Sequence, residues 1–300
     1  MNRCRRFGDQ TPVALLMAGP AVTGLILFIL APFLTALMLA FTNLRLGSPL
    51  PLAFVGLKQF QRILTDPDFC HALANTLVFA LGVVPLQTLL ALGLAHLVNQ
   101  GLRGTVVFRI LFFMPVVFPM SLVAVIWILI YAPGPGGMMN AFLDLLTMGR
   151  WEARDFLRDP VLALPSIMLL SIWQGAGFQM VILLAGLQGI PEELYEAAAL
   201  DGAGSWHRFR HVTLPQLRNP LIFVMLITTI LAFRLFDQVQ IMTRGGPDTA
   251  TTTVMYEAVQ AVFTRQQVAR ASAMTVVFFV LVLVVTWVQR RLARQEREVK

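Results

Sequence analysis

Three groups of residues have the types and spacing to do chemistry. His207 and His211 stand four apart, which puts two imidazoles on one helix face where they could share a metal ion. Beside Arg208 and Arg210 the same pair also fits a solvated polar face. Arg234 and Asp237 are the only charges in the run from Asn219 to Met242. A charge at mid-membrane costs roughly 2.5 to 3.5 kcal/mol on insertion scales. At i, i+3 on one helix the two either neutralise each other structurally or line a polar path. Gln87, Trp127, Trp173, Gln174, Gln179 and Gln238 complete the set, because amides and indole faces hold polyhydroxylated solutes. A tryptophan near a helix end serves equally as an interface anchor.

Motifs for breaking bonds are missing. The chain has two lysines, Lys58 and Lys300, and neither follows a glycine, so no phosphate-cradling GxxxxGK[ST] loop is present. HExxH and GxSxG are absent as well. No enzyme activity, and no metal or cofactor, is therefore expected of this chain.

The elements that must position these groups are apolar helices. Of 300 residues, 57% are hydrophobic and 13% charged, and the mean hydropathy is +0.73, against about 25% charged residues in soluble domains. Charge-free runs extend over 10–44, 69–102, 110–143, 160–191 and 271–289, with a shorter one over 219–233 that continues apolar to Met242 apart from Arg234 and Asp237. A span needs roughly 20 apolar residues, since only a helix pairs every backbone group in hydrocarbon. The expected fold is all-α: a polytopic membrane protein with six transmembrane helices. Pro85, Pro115 and Pro119 mark kinks in the second and third spans.

Six spans place both termini on one side. With the termini cytoplasmic, 13 of the 23 Lys and Arg fall on the inner segments (Arg3, Arg5, Arg6, Arg103, Arg109, Arg208, Arg210, Arg218, Arg290, Arg291, Arg294, Arg297 and Lys300) and nine on the outer loops. Net charge is then +6 inside and +1 outside, which is the positive-inside bias. The outer connections run over 42–71, 132–159 and 243–268. The basic residues lie dispersed at helix ends, where they reach lipid headgroups, so the pI near 10.4 does not imply nucleic acid. Cys4 and Cys70 fall on opposite sides and cannot pair. The basic start "MNRCRR" leads a run too long for a signal peptide, without a clear cleavage site, so it is expected to be retained.

Between the fourth and fifth spans lies the polar stretch "PEELYEAAALDGAGSWHRFRHVTLPQLRNP", Pro191 to Pro220. Pro191 suits the first helical position, Glu192 and Glu193 suit its positive end, and Gly202 ends the helix. Ser205 can cap a second short helix carrying a stripe of Trp206, Phe209 and Val212, and Asn219 with Pro220 reads as the cap and start of the fifth span. Held between two spans, this helix, turn and helix is either a docking element for another protein or an amphipathic segment lying on lipid.

The stretch resembles the EAA loop of binding-protein-dependent ABC importer permeases. Glu196, Ala197, Ala198, Gly202, Leu214 and Pro215 match its pattern at the family spacing, with Val212 replacing an isoleucine. "FVGLKQFQRILTDPDF" (54–69), "FFMPVVFP" with Trp127, and "LFDQVQIMTRGGPDTAT" also resemble family segments. The neighbourhood of Gly245, Gly246 and Pro247 is similar to the first permease subunit of the maltose and glycerol-3-phosphate transporters, in the carbohydrate branch.

The resemblance implies a type I ABC importer permease (MetI-like) bundle in the inner membrane. Its implied divisions are a cytoplasmic N-terminus (1–12), a permease domain (13–290) with a coupling loop (188–218), and a basic tail (291–300). Partners are implied too: a second homologous permease subunit forming a heterodimer, two ATPase subunits that bind the ATP and Mg, and an extracytoplasmic solute-binding protein. In that setting Glu196 faces a basic group of the ATPase, Gly202 allows the turn, and a sugar, oligosaccharide or polyol derivative passes by alternating access. Whether Trp206 and Phe209 face the ATPase or pack on this chain's own helices stays open. The alternative is a self-sufficient ion-driven secondary carrier, for which Arg234 and Asp237 are the available ionisable groups.

Overall fold

The computed structural model describes residues 11–101 and 104–295. Most of the N-terminal segment, Arg103 and the last five residues of the basic tail lie outside the described residues. In chain order the helices are α1 (Thr11–Leu25), α2 (Ala31–Leu39), α3 (Lys58–Leu64), α4 (Pro67–Asn99), α5 (Thr105–Val117), α6 (Met120–Ile130), α7 (Met138–Leu146) and α8 (Ala163–Gln188). They continue with α9 (Glu192–Leu200), α10 (Ser205–Arg208), α11 (Leu214–Gln216), α12 (Arg218–Phe233), α13 (Asp237–Met242), α14 (Val254–Phe263) and α15 (Val268–Gln295). π-helical turns join α1 to α2 (Ile26–Leu30) and α10 to α11 (Phe209–Thr213). The 290/291 boundary expected from the sequence falls inside α15.

Five apolar helices are long enough to span a bilayer, over Leu16–Leu39, Pro67–Asn99, Ala163–Gln188, Arg218–Met242 and Val268–Arg291. The expected third span is instead a pair, α5 and α6, bent by 101°. Pro119 causes the break: its ring excludes the helical conformation from the preceding residue, and Phe118 is extended at φ −79° and ψ 141°. Pro115 and Pro85 remain inside continuous helices. The three connections read as loops each fold a short helix, α3, α7 and α14.

The chain divides into two compact units. The first, residues up to Thr65 with Ala258–Phe278, contains the exposed span α1–α2 and a hairpin closed by antiparallel pairing of Thr42 with Phe54. Asn43 holds the hairpin, accepting at Oδ1 from the Ala53 amide (2.8 Å) and donating from Nδ2 to the Pro51 carbonyl (3.1 Å).

The second unit, Asp66–Glu257 with the chain from Phe279 on, is built around α8, which packs against α4, α5 and α12. In lipid, helices associate through close packing of small residues, and α8 supplies glycines at the contacts. A β-carbon on Gly177 would stand 1.9 Å from the Phe112 carbonyl oxygen of α5, and one on Gly186 would stand 2.8 Å from the Pro220 ring of α12. Between α8 and its neighbours lies a buried apolar cluster that includes Ala91, Ala95, Met180, Leu183, Leu217 and Val224.

Gly177→Ala forces α5 away from α8, and overpacking of this kind costs about 1–3 kcal/mol. Gly93→Ala, where a β-carbon meets nothing within 4 Å, is the control. Thermal melting of the detergent-solubilised chain is expected to fall for the first variant and to hold or rise slightly for the second, since alanine is the better helix former.

Candidate functional site

Two places gather the residues named above, and both belong to the second unit. The first is a cavity of about 280 Å³ whose wall comes from α4, α6, α8, α12 and α13. It brings together Gln87, Gln174, Arg234, Asp237 and Gln238. Gly175 lets the Gln87 amide lie across α8, because a β-carbon there would stand 2.1 Å from Nε2. Gln238 donates from Nε2 to Ser171 Oγ (3.4 Å), and Ser171 Oγ donates to the Ile167 carbonyl.

Arg234 and Asp237 do not share one helix as expected. α12 stops at Phe233, Arg234 is its C-cap, and α13 begins at Asp237. No ion pair within 4.0 Å joins them among the described residues, so both charges face the cavity separately. The break between the two helices frees the Leu235 carbonyl, and Thr253 Oγ1 donates to it at 2.9 Å. Thr253 belongs to a tight turn in which Thr252 Oγ1 donates to the Gly245 carbonyl (2.9 Å) and Tyr256 donates to the Arg244 carbonyl (2.7 Å). Asn75 of α4 donates from Nδ2 to the carbonyls of Thr249 and Thr252, both at 3.0 Å. The neighbourhood of Gly245, Gly246 and Pro247 is therefore a brace for the broken helix.

Three candidates lie off the cavity wall. Gln179 is buried one turn along α8 from Gly175, and its Nε2 donates to Thr228 Oγ1, so it holds a wall residue in place. Trp127 is buried in an aromatic cluster, 5.2 Å from the Tyr131 ring and 5.6 Å from Trp173 by ring centroids. Tyr131 donates to the Ser166 carbonyl at 3.0 Å, tying α6 to α8, and Trp173 is half exposed. Ser171 and Thr228, which do line the cavity, escaped notice because hydroxyls in apolar helices most often bond their own backbone.

The cavity offers amide, hydroxyl and two opposite charges within an apolar frame, together with the Phe79 ring and Met120. It can hydrogen-bond a polyhydroxylated solute from several sides. It presents no nucleophile and base in contact, and no group of three or more His, Cys, Asp or Glu able to hold a metal exists among the described residues.

The second place is the polar segment between α8 and α12. Pro191 is the N-cap of α9 and not its first residue, the positions shifting by one from expectation. At the other end Gly202 has φ +78°, and the Gly202 and Ala203 amides donate to the Ala199 and Ala198 carbonyls at 3.0 and 2.9 Å. This pair of bonds is a Schellman cap, which requires the left-handed conformation that glycine supplies. Ser205 is the first residue of α10; Gly204 occupies the capping position. The backbone then runs through the π-helical turn into α11, and α12 starts at Arg218, so Asn219 and Pro220 lie within its first turn.

The segment is bolted down and presents one side outward. Tyr195 Oη and Thr213 Oγ1 share a hydrogen bond of 2.9 Å that joins the first helix to the π turn. Phe209 packs on the buried apolar cluster with its ring 5.5 Å from His96 of α4, whereas Trp206, stacked on it at 5.7 Å, is 67% exposed. The stripe read from the sequence thus splits: Phe209 faces this chain's own helices and Trp206 faces away. Glu196, Ala197 and Pro215 are exposed, Ala198 is half buried, and Leu214 is partly open. Leu200, the last residue of α9, is 90% exposed. His207 and His211 stack at 5.4 Å, with His211 Nδ1 at 3.1 Å from the His207 carbonyl. They sit on a solvated face.

Residues 87–298 match the family described as "Binding-protein-dependent transport system inner membrane component". The sulfoquinovosyl glycerol transport system permease protein SmoG of Agrobacterium fabrum is 35% identical over 96% of this chain and 92% of its own length. The trehalose/maltose transport system permease protein MalF of Thermococcus litoralis is 32% identical over 96% of each chain. Among solved structures, a chain of a bacterial alginate ABC transporter in complex with an alginate pentasaccharide-bound periplasmic protein has the same fold. Its TM-score is 0.80 at 22% identity, over 97% of this chain and 98% of that one. With five spanning helices, a broken sixth and the matched family region on top of this fold, the chain belongs to the binding-protein-dependent transport system inner membrane component family: a multi-pass inner-membrane permease subunit of an ABC importer, and not an enzyme.

Proposed function

We propose that this subunit imports a sugar, oligosaccharide or polyol derivative through the cavity between α4, α8 and α12–α13, driven by a separate ATPase that docks on residues 188–218. The observation that carries the reading is the rigid α9–α10 pair, capped at Gly202, bolted by Tyr195 and Thr213, and presenting Glu196, Ala197, Leu200 and Trp206 outward. A segment that receives mechanical work must be stiff and must expose its contact side, and this one does both. ATP and Mg are bound by the partner. The working unit contains this chain, a second homologous permease, two ATPase copies and an extracytoplasmic solute-binding protein, with both termini of this chain cytoplasmic. Closure of the ATPases moves the docked helices as one body and turns the bundle between inward-open and outward-open states.

The carbohydrate class rests on the cavity's amides and hydroxyls and on the sugar-linked relatives. The intact complex, purified and assayed for thermal stabilisation of its solute-binding protein by sugars and phosphorylated polyols, tests that class; stabilisation by amino acids or inorganic ions alone overturns it.

Gly202→Val forces a β-branched residue into the left-handed region at roughly 1–2 kcal/mol. Membrane insertion is expected to stay intact while the ATPase co-purifies poorly or uptake drops, and Glu196→Lys should act in the same direction. Wild-type uptake by both variants with the ATPase still bound sinks the docking assignment. In the cavity, Gln87→Ala removes hydrogen bonds worth about 0.5–1.5 kcal/mol each, so uptake should fall roughly two- to tenfold with ATPase co-purification unchanged. Unaltered transport kinetics in Gln87→Ala and Gln238→Ala together would remove the cavity from the path. Uptake by this chain alone in proteoliposomes, driven by an ion gradient and indifferent to ATP, would point to a secondary carrier.

A further inference from the structure

The first unit contains a cavity of about 400 Å³ that no part of the transport reading uses. Arg45, Lys58, Arg62 and Arg270 line it, and no Asp or Glu does. Its volume falls within the roughly 300–1,000 Å³ of small-molecule sites, large enough for a charged headgroup and not merely a single ion.

Its walls are fixed before any ligand arrives. The Leu46 amide donates to the Gln266 carbonyl at 2.9 Å and the Ala269 amide donates to the Leu44 carbonyl at 2.9 Å, joining the hairpin to the start of α15. Gln59, itself buried, donates from Nε2 to the Thr42 carbonyl at 3.1 Å. Gln267 lines the cavity with a buried Oε1 that has no hydrogen-bond partner.

The cations are not placed for the stability of their own elements. Lys58 and Arg62 are i, i+4 on α3, a like-charge pair that repels, and Lys58 stands at the helix's first position, the positive end of its dipole. Residues that break local rules together are expected at functional sites. The depth is also informative. Asn43 of the wall lies just past the end of the span Leu16–Leu39, and Arg270 lies in the first turn of the span Val268–Arg291. The cavity therefore sits where two apolar helices meet the polar chain, which is headgroup level. Leu44, Leu50 and Val55 line the cavity beside the cations, and Leu46, Phe54 and Leu57, each next in sequence to a lining residue, are largely exposed together with Leu50, so apolar side chains border the basic pocket.

We propose that this cavity binds the phosphate of an acidic phospholipid, with Arg45, Lys58 and Arg62 on the headgroup and the exposed apolar rim against the acyl chains. Phosphate chemistry is common to a lipid and to a free phosphorylated solute, and the rim selects the lipid. It shares no lining residue with the cavity of the second unit.

The test uses the purified intact complex and native mass spectrometry with short-chain phosphatidylglycerol, phosphatidylcholine of the same chain length being the control. Wild type is expected to retain the acidic lipid preferentially. Arg45→Gln, Lys58→Gln and Arg62→Gln should each weaken retention roughly fivefold, the equivalent of about 1 kcal/mol per cation. Arg150→Gln, outside the cavity, should not change it. Glycerol phosphate added as competitor separates the sources: displacement of the lipid at comparable concentration overturns the lipid assignment in favour of a soluble anion. Equal lipid retention by the triple variant overturns the site. Loss of solute-binding-protein capture in the triple variant, with lipid retention unchanged, assigns the cations to an acidic protein surface and also overturns it.

Discussion

Helix α8 can reach the backbone of α5 because residue 177 has no side chain, and the organisation of the second unit follows from that closeness. In hydrocarbon no water is released when helices meet, so the gain comes from contact area, which depends on how near the axes approach. The same helix uses Gly175 to admit the Gln87 amide and Gly186 to seat Pro220 and Leu217. The residues from 175 to 186 span about 16 Å at 1.5 Å per residue. One stiff rod therefore carries a cavity wall at one level and the footing of the polar helix pair at another.

Much of this was legible in the chain. Unbroken apolar runs specify spanning helices because backbone groups in lipid have no other partners, and four of the six expected spans are continuous helical stretches, the third and fifth being broken. Gly202 announced its own conformation, since the residues before it form helices well and the residues after it restart one. The polar segment was legible as a unit, from the end of α8 to the start of α12, and Glu196, Ala197 and Pro215 lie exposed.

What was not legible depends on partners far away in sequence. Arg234 and Asp237 look like an i, i+3 pair only while the helix is assumed continuous, and the bond that lets it break comes from Thr253. Trp127 carries no sign of whether it faces a solute or Tyr131, because an indole is equally suited to both. Trp206 and Phe209 share a spacing and stack on each other, yet different surroundings decide their fates: Phe209 packs on the cluster under α8, whereas Trp206 stays largely exposed. Pro119 was visible as a kink, but a bend of 101° needs the following helix to turn as well, and that is a tertiary choice.

The Thr253 bond to the Leu235 carbonyl separates two tasks that an unbroken helix would combine. Because a residue away from the cavity wall satisfies the interrupted backbone, neither Arg234 nor Asp237 is needed to hold the span together. The bond that satisfies the break involves neither of their side chains. Under the proposed import reading, the wall can therefore differ between relatives while the helices and the brace that hold it stay the same.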